Sequence, residues 1–214
     1  MVHQATSGRT QQKYKVHIVT TDIKQDSIGD LVGDEFLVVP KFTDEGFCAF
    51  MIRLCVTKAI DFVFPILDLE LEKWATMKEE LEQRGTLVFV NSLESINTCN
   101  NKFLSWKKCL KSGMNHPKSY SGENVDTLKD NLPLIAKPFV GVGAQGVQIL
   151  KTPSDVDQYL CLHSGIETLF SEVLVGKEYT VDVLIDYCEK ECIAVVPKER
   201  LEVRNGQAVK SITR

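Results

Sequence analysis

No run of 18 consecutive apolar residues occurs in the 214-residue sequence, so no membrane span is expected. Residues 1–13 are polar (Gln4, Ser7, Arg9, Gln11 and Gln12 among them) and lack the apolar core of a secretory signal. Basic residues are not in excess. Against 29 Asp and Glu stand 25 Lys and Arg, a formal charge of −4, and no dense Lys/Arg stripe marks a nucleic-acid surface. None of the seven cysteines falls in C-x-x-C spacing. Cys188 and Cys192 lie four apart with no histidine or further cysteine pair to close a zinc site, so free thiols in a reducing cytosol are expected, and with them a cytoplasmic location. No G-K-[ST] follows the glycines, which excludes a Walker loop, and nothing resembles H-R-D-L-x-x-x-N or D-F-G. No internal repeat or low-complexity tract is present.

A composition of 43% hydrophobic and 25% charged residues suffices for one or two globular domains of this length. In the first half, Tyr14 to Asp22 alternates as a strand, Val38-Val39-Pro40 reads as a short second one, and Asp61 to Pro65 as a continuous apolar run of the buried parallel type. Helices fit Phe47 to Val56 and Leu69 to Arg84, the latter stopped at Gly85, before a strand at Thr86 to Val90. This alternation predicts a parallel sheet with helices on both faces. Further on, helices are expected at Asn101 to Lys111, Asn124 to Asn131 and Ser154 to His163. Strands are expected at Pro117 to Tyr120, Leu134 to Lys137, Val147 to Lys151, Thr168 to Leu174, Val181 to Ile185 and Cys192 to Val196. His17 reads as a packed or edge side chain.

The richest stretch is Leu134-Ile-Ala-Lys137-Pro-Phe-Val-Gly141-Val-Gly143-Ala144-Gln145-Gly146-Val147. A lysine ends an apolar run, and a glycine-rich loop opens four residues later. Such a loop can turn its N–H groups onto phosphate oxygens, and the lysine adds a point charge for the same phosphates. The glycines spell G-x-G-x-x-G, but a dinucleotide fingerprint needs a helix directly after the loop. Here Val147 to Leu150 alternates as another strand. The first helix signal is the later Thr152-Pro153-Ser154-Asp155 cap. The loop therefore joins two antiparallel strands, either over a nucleotide or as a plain hairpin turn. Downstream, period-2 alternation puts Glu178, Thr180 and Asp182 on one face and Tyr179, Val181, Val183 and Ile185 on the other. The polar face is either a ribose-binding surface or an ordinary solvated one, and the apolar face is expected to be core.

Lys137-Pro138 with the glycine loop, Glu172-Val173-Leu174, and Gly176-Lys-Glu-Tyr-Thr-Val-Asp182 together resemble the ATP-grasp superfamily, most nearly its carbamoyl-phosphate-synthase-like branch of ATP-dependent ligases. Ile60 to Leu71 resembles that branch's I-D-x-x-x-P-x-x-D-x-E-L segment. Asn101-Lys102 stands where the family has Asp-Lys, and Pro197-Lys198-Glu199-Arg200 where it has Pro-Arg-x-Arg.

The resemblance implies α/β plus α+β architecture. A pre-ATP-grasp parallel-sheet domain would occupy residues 14–98, with a shortened first unit and no site role for Asp22. An incomplete ATP-grasp domain would occupy 99–214, with a lid at about 115–170 and a second subdomain from about 175.

It also implies a carbon–nitrogen ligase that activates a small carboxylate as an acyl phosphate for attack by an amine. In that reading Lys102 and Lys137 hold ATP phosphates under Gly141, Gly143, Ala144, Gln145, Gly146 and Val147. Glu172, Val173 and Leu174 read adenine, and Glu178 holds the ribose. Lys198 and Arg200 face the acyl phosphate, with lysine at 198 giving up bidentate geometry. Asn101 removes a carboxylate beside Lys102, which leaves the orientation of Lys102 open. The Mg2+ ligands of the family are expected beyond Arg214, so no metal residue is assigned, and Asp182, Asp186 and Glu202 would be substitutes. Without that metal site the alternative is a non-catalytic or regulatory nucleotide-binding module.

Overall fold

The computed structural model describes residues 16–122, 124–141, 143–186, 188–204 and 206–214. Tyr14 and Lys15 of the expected first strand, Val142 of the loop and Tyr187 of the last hairpin lie outside them. The chain divides into two compact units, one running to Ile96 and the other Asn97–Arg214.

In the first unit, β1 (Val19–Asp22) pairs in parallel with β2 (Glu35–Val38), and β3 (Phe62–Val63) pairs in parallel with β4 (Leu87–Val88). Helices α1 (Gly29–Val32), α2 (Phe47–Thr57) and α3 (Leu71–Gln83) connect them. The apolar spacing of α2 and α3 decides which faces are buried. Phe47, Met51 and Cys55 recur at i, i+4 and i+8, and Trp74, Met77 and Leu81 at i, i+3 and i+7. These two stripes meet each other and Val88 in one core, with Trp74 edge-on to Phe47. Burial in that core raises the pKa of the Cys55 thiol.

Three expectations need correction here. The second strand begins at Glu35, ahead of Val38, because the preceding helical turn hands the chain directly to it: Asp34 and Glu35 both donate to the Ile18 carbonyl. The run Asp61 to Pro65 is not buried throughout. The core lies on the Val63 side of the pleat, so Phe62 and Phe64 project together from the opposite face, more than half exposed, with Phe64 stacked on Phe89 at 4.4 Å. The strands form two separate parallel pairs among the described residues, short of one continuous sheet.

Helix α4 (Leu93–Asn100), which the sequence pattern did not announce, leads into α5 (Lys102–Lys111) of the second unit. There β5 (Ser119–Tyr120), β6 (Leu134–Pro138), β7 (Gln148–Leu150) and β8 (Thr168–Glu172) form an antiparallel sheet in the order β5-β8-β6-β7. Leu134, Ala136, Leu150 and Phe170 pack from this sheet against Leu128 of α6 (Val125–Asp130) and Val156 and Tyr159 of α7 (Pro153–Leu162). Asn124 caps α6. Thr152 and Asp155 form a reciprocal capping box on α7, with Pro153 in its first turn.

A second antiparallel sheet follows, with β10 (Cys192–Arg204) between β9 (Tyr179–Ile185) and β11 (Gln207–Thr213). The pleat puts Tyr179, Val181, Val183 and Ile185 on one face, as the alternation requires. That face is not core among the described residues: all four are exposed, and so is every other residue of β9.

Candidate nucleotide site

The site begins at Asn101. Its carboxamide oxygen accepts from the N–H groups of Phe103 and Leu104 and so caps α5, a role asparagine fills as well as aspartate. The Lys102 N–H then donates to the Phe139 carbonyl at 2.8 Å, and Phe103 stacks on Phe139 at 4.8 Å. The start of α5 is thereby fastened to the end of β6, and the Lys102 ammonium donates to the Gly141 carbonyl at 3.2 Å. The side chain is oriented by the glycine loop, and the missing aspartate is not needed for that.

Lys137 follows from the pleat of β6. Leu134 and Ala136 are buried in the core, so Lys137 projects from the opposite face. Partial burial first, and the neighbouring Lys102 charge second, pull its pKa below the ordinary value, while Glu178 partly opposes them. Lys102 and Glu178, each more than 30 positions from Lys137 in sequence, thus both act on it electrostatically.

Between β6 and β7 the loop takes left-handed backbone at Gly143 (φ 64°), Ala144 (φ 60°) and Gly146 (φ 69°). Gly146 needs to be glycine twice over, since a Cβ there would come within 2.8 Å of the Pro138 ring. Its carbonyl accepts from the buried Tyr159 hydroxyl at 3.0 Å, which ties the loop to α7. At the loop's other side, Gly206 in the β10–β11 turn lies close enough that a Cβ on it would sit 3.8 Å from Ala144.

On the polar face of β9 and β10 the charges are paired. Lys198 meets Asp182 at 2.5 Å. The Arg200 guanidinium meets the Glu178 carboxylate at 2.5 Å and donates to the Gly206 carbonyl at 2.7 Å. Thr180, Lys198, Arg200, Gly206, Ala208 and Ser211 line a cleft of about 290 Å3 there. The arrangement offers two ammonium groups beside a glycine loop, chemistry suited to oxyanions, and two further cations that are each paired with a carboxylate.

The sequence matches the ATP-grasp domain family over residues 99–214, more than half of its length, and the family of PylC-like N-terminal domains over residues 4–89. The chain belongs to the ATP-grasp family. Solved structures share the fold. One is the biotin carboxylase domain of Hydrogenobacter thermophilus 2-oxoglutarate carboxylase with MgADP, ADP and bicarbonate (TM-score 0.65, 14% identity, 89% of this chain and 46% of that one). Another is N5-carboxyaminoimidazole synthetase from Staphylococcus aureus with ADP (0.65, 18%, 89% and 49%). A third is the L-amino acid ligase of Bacillus licheniformis (0.61, 16%, 85% and 43%). The chain spans less than half the length of each. A search of curated proteins finds no significant match.

In this ATP-grasp chain the structure brings Lys102, Lys137, Glu178 and the loop together, with Arg200 joined to Glu178. Glu172 is placed differently. Its carboxylate accepts from the Lys118 N–H at 2.8 Å and its N–H donates to the Lys118 carbonyl, so both groups serve the β5–β8 junction. What remains for an adenine edge is the backbone beyond β8, at half-buried Val173 and exposed Leu174. Gln145 is exposed on the loop and Val147 is half-buried at its end. Asp182, Asp186 and Glu202 do not converge. Asp182 pairs with Lys198, Asp186 caps the β9–β10 turn through the Cys188 and Glu189 N–H groups, and Glu202 pairs with Arg204. Sequence reasoning missed Gly206 and Ser211, which reach the cleft only through the β10–β11 pairing. Arg200 opposes Ser211 in that register. No helix among the described residues is long and apolar enough to cross a membrane.

Proposed function

We propose that this chain carries the nucleotide-binding apparatus of an ATP-dependent carboxylate–amine ligase of the carbamoyl-phosphate-synthase-like branch, working through an acyl phosphate. The observation that carries the reading is the meeting of Lys102, Lys137 and Glu178 at a glycine loop held in left-handed backbone. An ammonium held below its ordinary pKa by burial and by the neighbouring Lys102 charge, as Lys137 is, gains most from a polyanion. Lys102 and Lys137 would bind its phosphates with the N–H groups of Gly141, Gly143, Ala144, Gln145, Gly146 and Val147. Glu178 would accept from ribose hydroxyls, and the peptide groups of Val173 and Leu174, just beyond Glu172, would meet the adenine edge. ATP would supply the phosphoryl group that activates a small carboxylate toward an amine. Lys198 and Arg200 would stabilise charge as the carboxylate is activated.

Magnesium accompanies ADP in the Hydrogenobacter structure. Among the described residues no group of three His, Cys, Asp or Glu gathers to hold a metal ion, and no role here runs through one.

Calorimetric titration of the 214-residue chain tests the reading. ATP and ADP are expected to bind, and Lys137→Ala to weaken both about 10- to 100-fold, the loss of one charge-assisted contact. Unchanged affinity in a folded Lys137→Ala variant removes the phosphate role. Release of ADP on addition of carboxylate and amine separates a ligase from a binding module without turnover.

A further inference from the structure

The polar face of β9 and β10 sets cation against carboxylate twice. Lys198 is paired with Asp182 of β9 and Arg200 with Glu178 just before that strand, so both cations of the cleft are neutralised. Arg200 is the more deeply set, its side chain 15% exposed. Its Nε is buried and, among the described residues, has no hydrogen-bond partner. A guanidinium with one donor unspent, in a cleft lined by the hydroxyl-bearing Thr180 and Ser211, suits a small oxyanion such as a carboxylate or phosphate. The carboxylate that ties up Arg200 is Glu178, the same group that stands in range of Lys137.

We propose that this cleft is a conditional anion site, closed while Glu178 holds Arg200 and opened when a ribose takes Glu178. The ribose assignment rests on the nucleotide reading above. A ribose hydroxyl alone is a weaker partner for Glu178 than a guanidinium is, so the exchange is unfavourable until an anion receives the freed Arg200. With both ligands present, one charge-assisted pair replaces another and the hydroxyl bonds are gained. Nucleoside and anion therefore bind with positive coupling, and each must tighten the other by the same factor. The Gly206 carbonyl, also held by Arg200, extends the coupling to the turn beside Ala144 of the glycine loop. In ligase terms the nucleotide prepares the carboxylate subsite, so an anion arriving first meets a neutralised surface.

Adenosine and inorganic phosphate serve as separate probes, titrated calorimetrically into the full chain at constant ionic strength. In the unmodified protein adenosine is expected to tighten phosphate binding at least about fivefold, and phosphate to tighten adenosine equally. Glu178→Gln is expected to bind phosphate alone at least about fivefold more tightly than the parent, with no further gain from adenosine. Glu202→Gln removes the same unit of charge from the same sheet without touching Arg200, and is expected to change phosphate binding less than about twofold. Equal gains in the two variants, or adenosine binding that leaves phosphate affinity unmoved, overturn the proposal while leaving the nucleotide site in place. A chain that binds neither adenosine nor ADP defeats the nucleotide reading instead. The Glu178→Gln result alone then decides whether Glu178 closes the cleft.

Discussion

The two sheets of the second unit carry the two halves of the candidate site and are held by different forces. In the four-stranded sheet, Leu134, Ala136 and Leu150 have no exposed surface, and α6 and α7 close over them. The glycine loop leaves this sheet from strands that cannot shift without opening a core. Among the described residues, the three-stranded sheet has backbone ladders and ion pairs in place of a core. Every residue of β9 is exposed, and its buried polar anchor is Glu199, 9% exposed, gripped by Lys177 at 3.0 Å and Arg214 at 2.7 Å. Lys137 and the loop are thus positioned by packing, whereas Glu178 and Arg200, and likewise Asp182 and Lys198, are positioned largely by each other. Packing specifies a rigid cradle. Charge pairing specifies a surface whose partners can be exchanged, which is what a site that swaps ligands requires.

The largest expected effect tests the packed side. Leu134→Ala should cost about 2–5 kcal/mol in chemical denaturation, the penalty for a cavity at a fully enclosed position. A loss below about 1 kcal/mol, well under the usual range, would mean the two sheets are held alike.

The junction between the halves is Lys137. Its folded pKa is depressed, so the unfolded chain binds the proton more readily, and stability rises with pH between the depressed value and the ordinary 10.5. Phosphate favours the charged lysine and reverses the shift. Nucleotide binding at a pH between the depressed value and 10.5 should therefore take up a proton. Calorimetry in buffers of differing ionisation enthalpy reads this directly, and Lys137→Arg should suppress it.

On the charge-paired side, Arg214 and then Lys177 hold the Glu199 carboxyl below its ordinary 4.5. Its contribution is complete above that value and is lost as pH falls through the folded pKa. Glu199→Gln should lower the melting temperature at neutral pH, with the gap to the parent narrowing in acid. A gap independent of pH would show that Glu199 acts by shape alone. The smallest effect belongs to Val183→Ala in β9, expected within about 0.5 kcal/mol because the side chain is already 54% exposed. A core-sized loss there would show that the face is covered.

Much of this was legible in local pattern. The α2 and α3 stripes, the Thr152–Asp155 cap, the antiparallel strands around the loop and the Glu178–Thr180–Asp182 face all depend on neighbours within a few residues, which periodicity and capping chemistry report directly. Phe62 and Phe64 were misjudged because an apolar run does not say which side of its pleat will meet a core. The partner of the Glu172 carboxylate was not legible for a related reason: nothing near it in sequence shows that the Lys118 backbone will claim it.

The amino-acid order by itself determined the identity of the elements and the chemistry of the loop, since left-handed backbone, capping and strand alternation are consequences of covalent structure at each residue. Which charges meet was decided only by the tertiary structure. Lys198 faces Asp182, Arg200 faces Glu178, and Lys102 faces Gly141 because pairing registers and the α5–β6 junction bring together residues 16 to 39 positions apart. Coulombic energy falls with distance in space and is blind to distance along the chain.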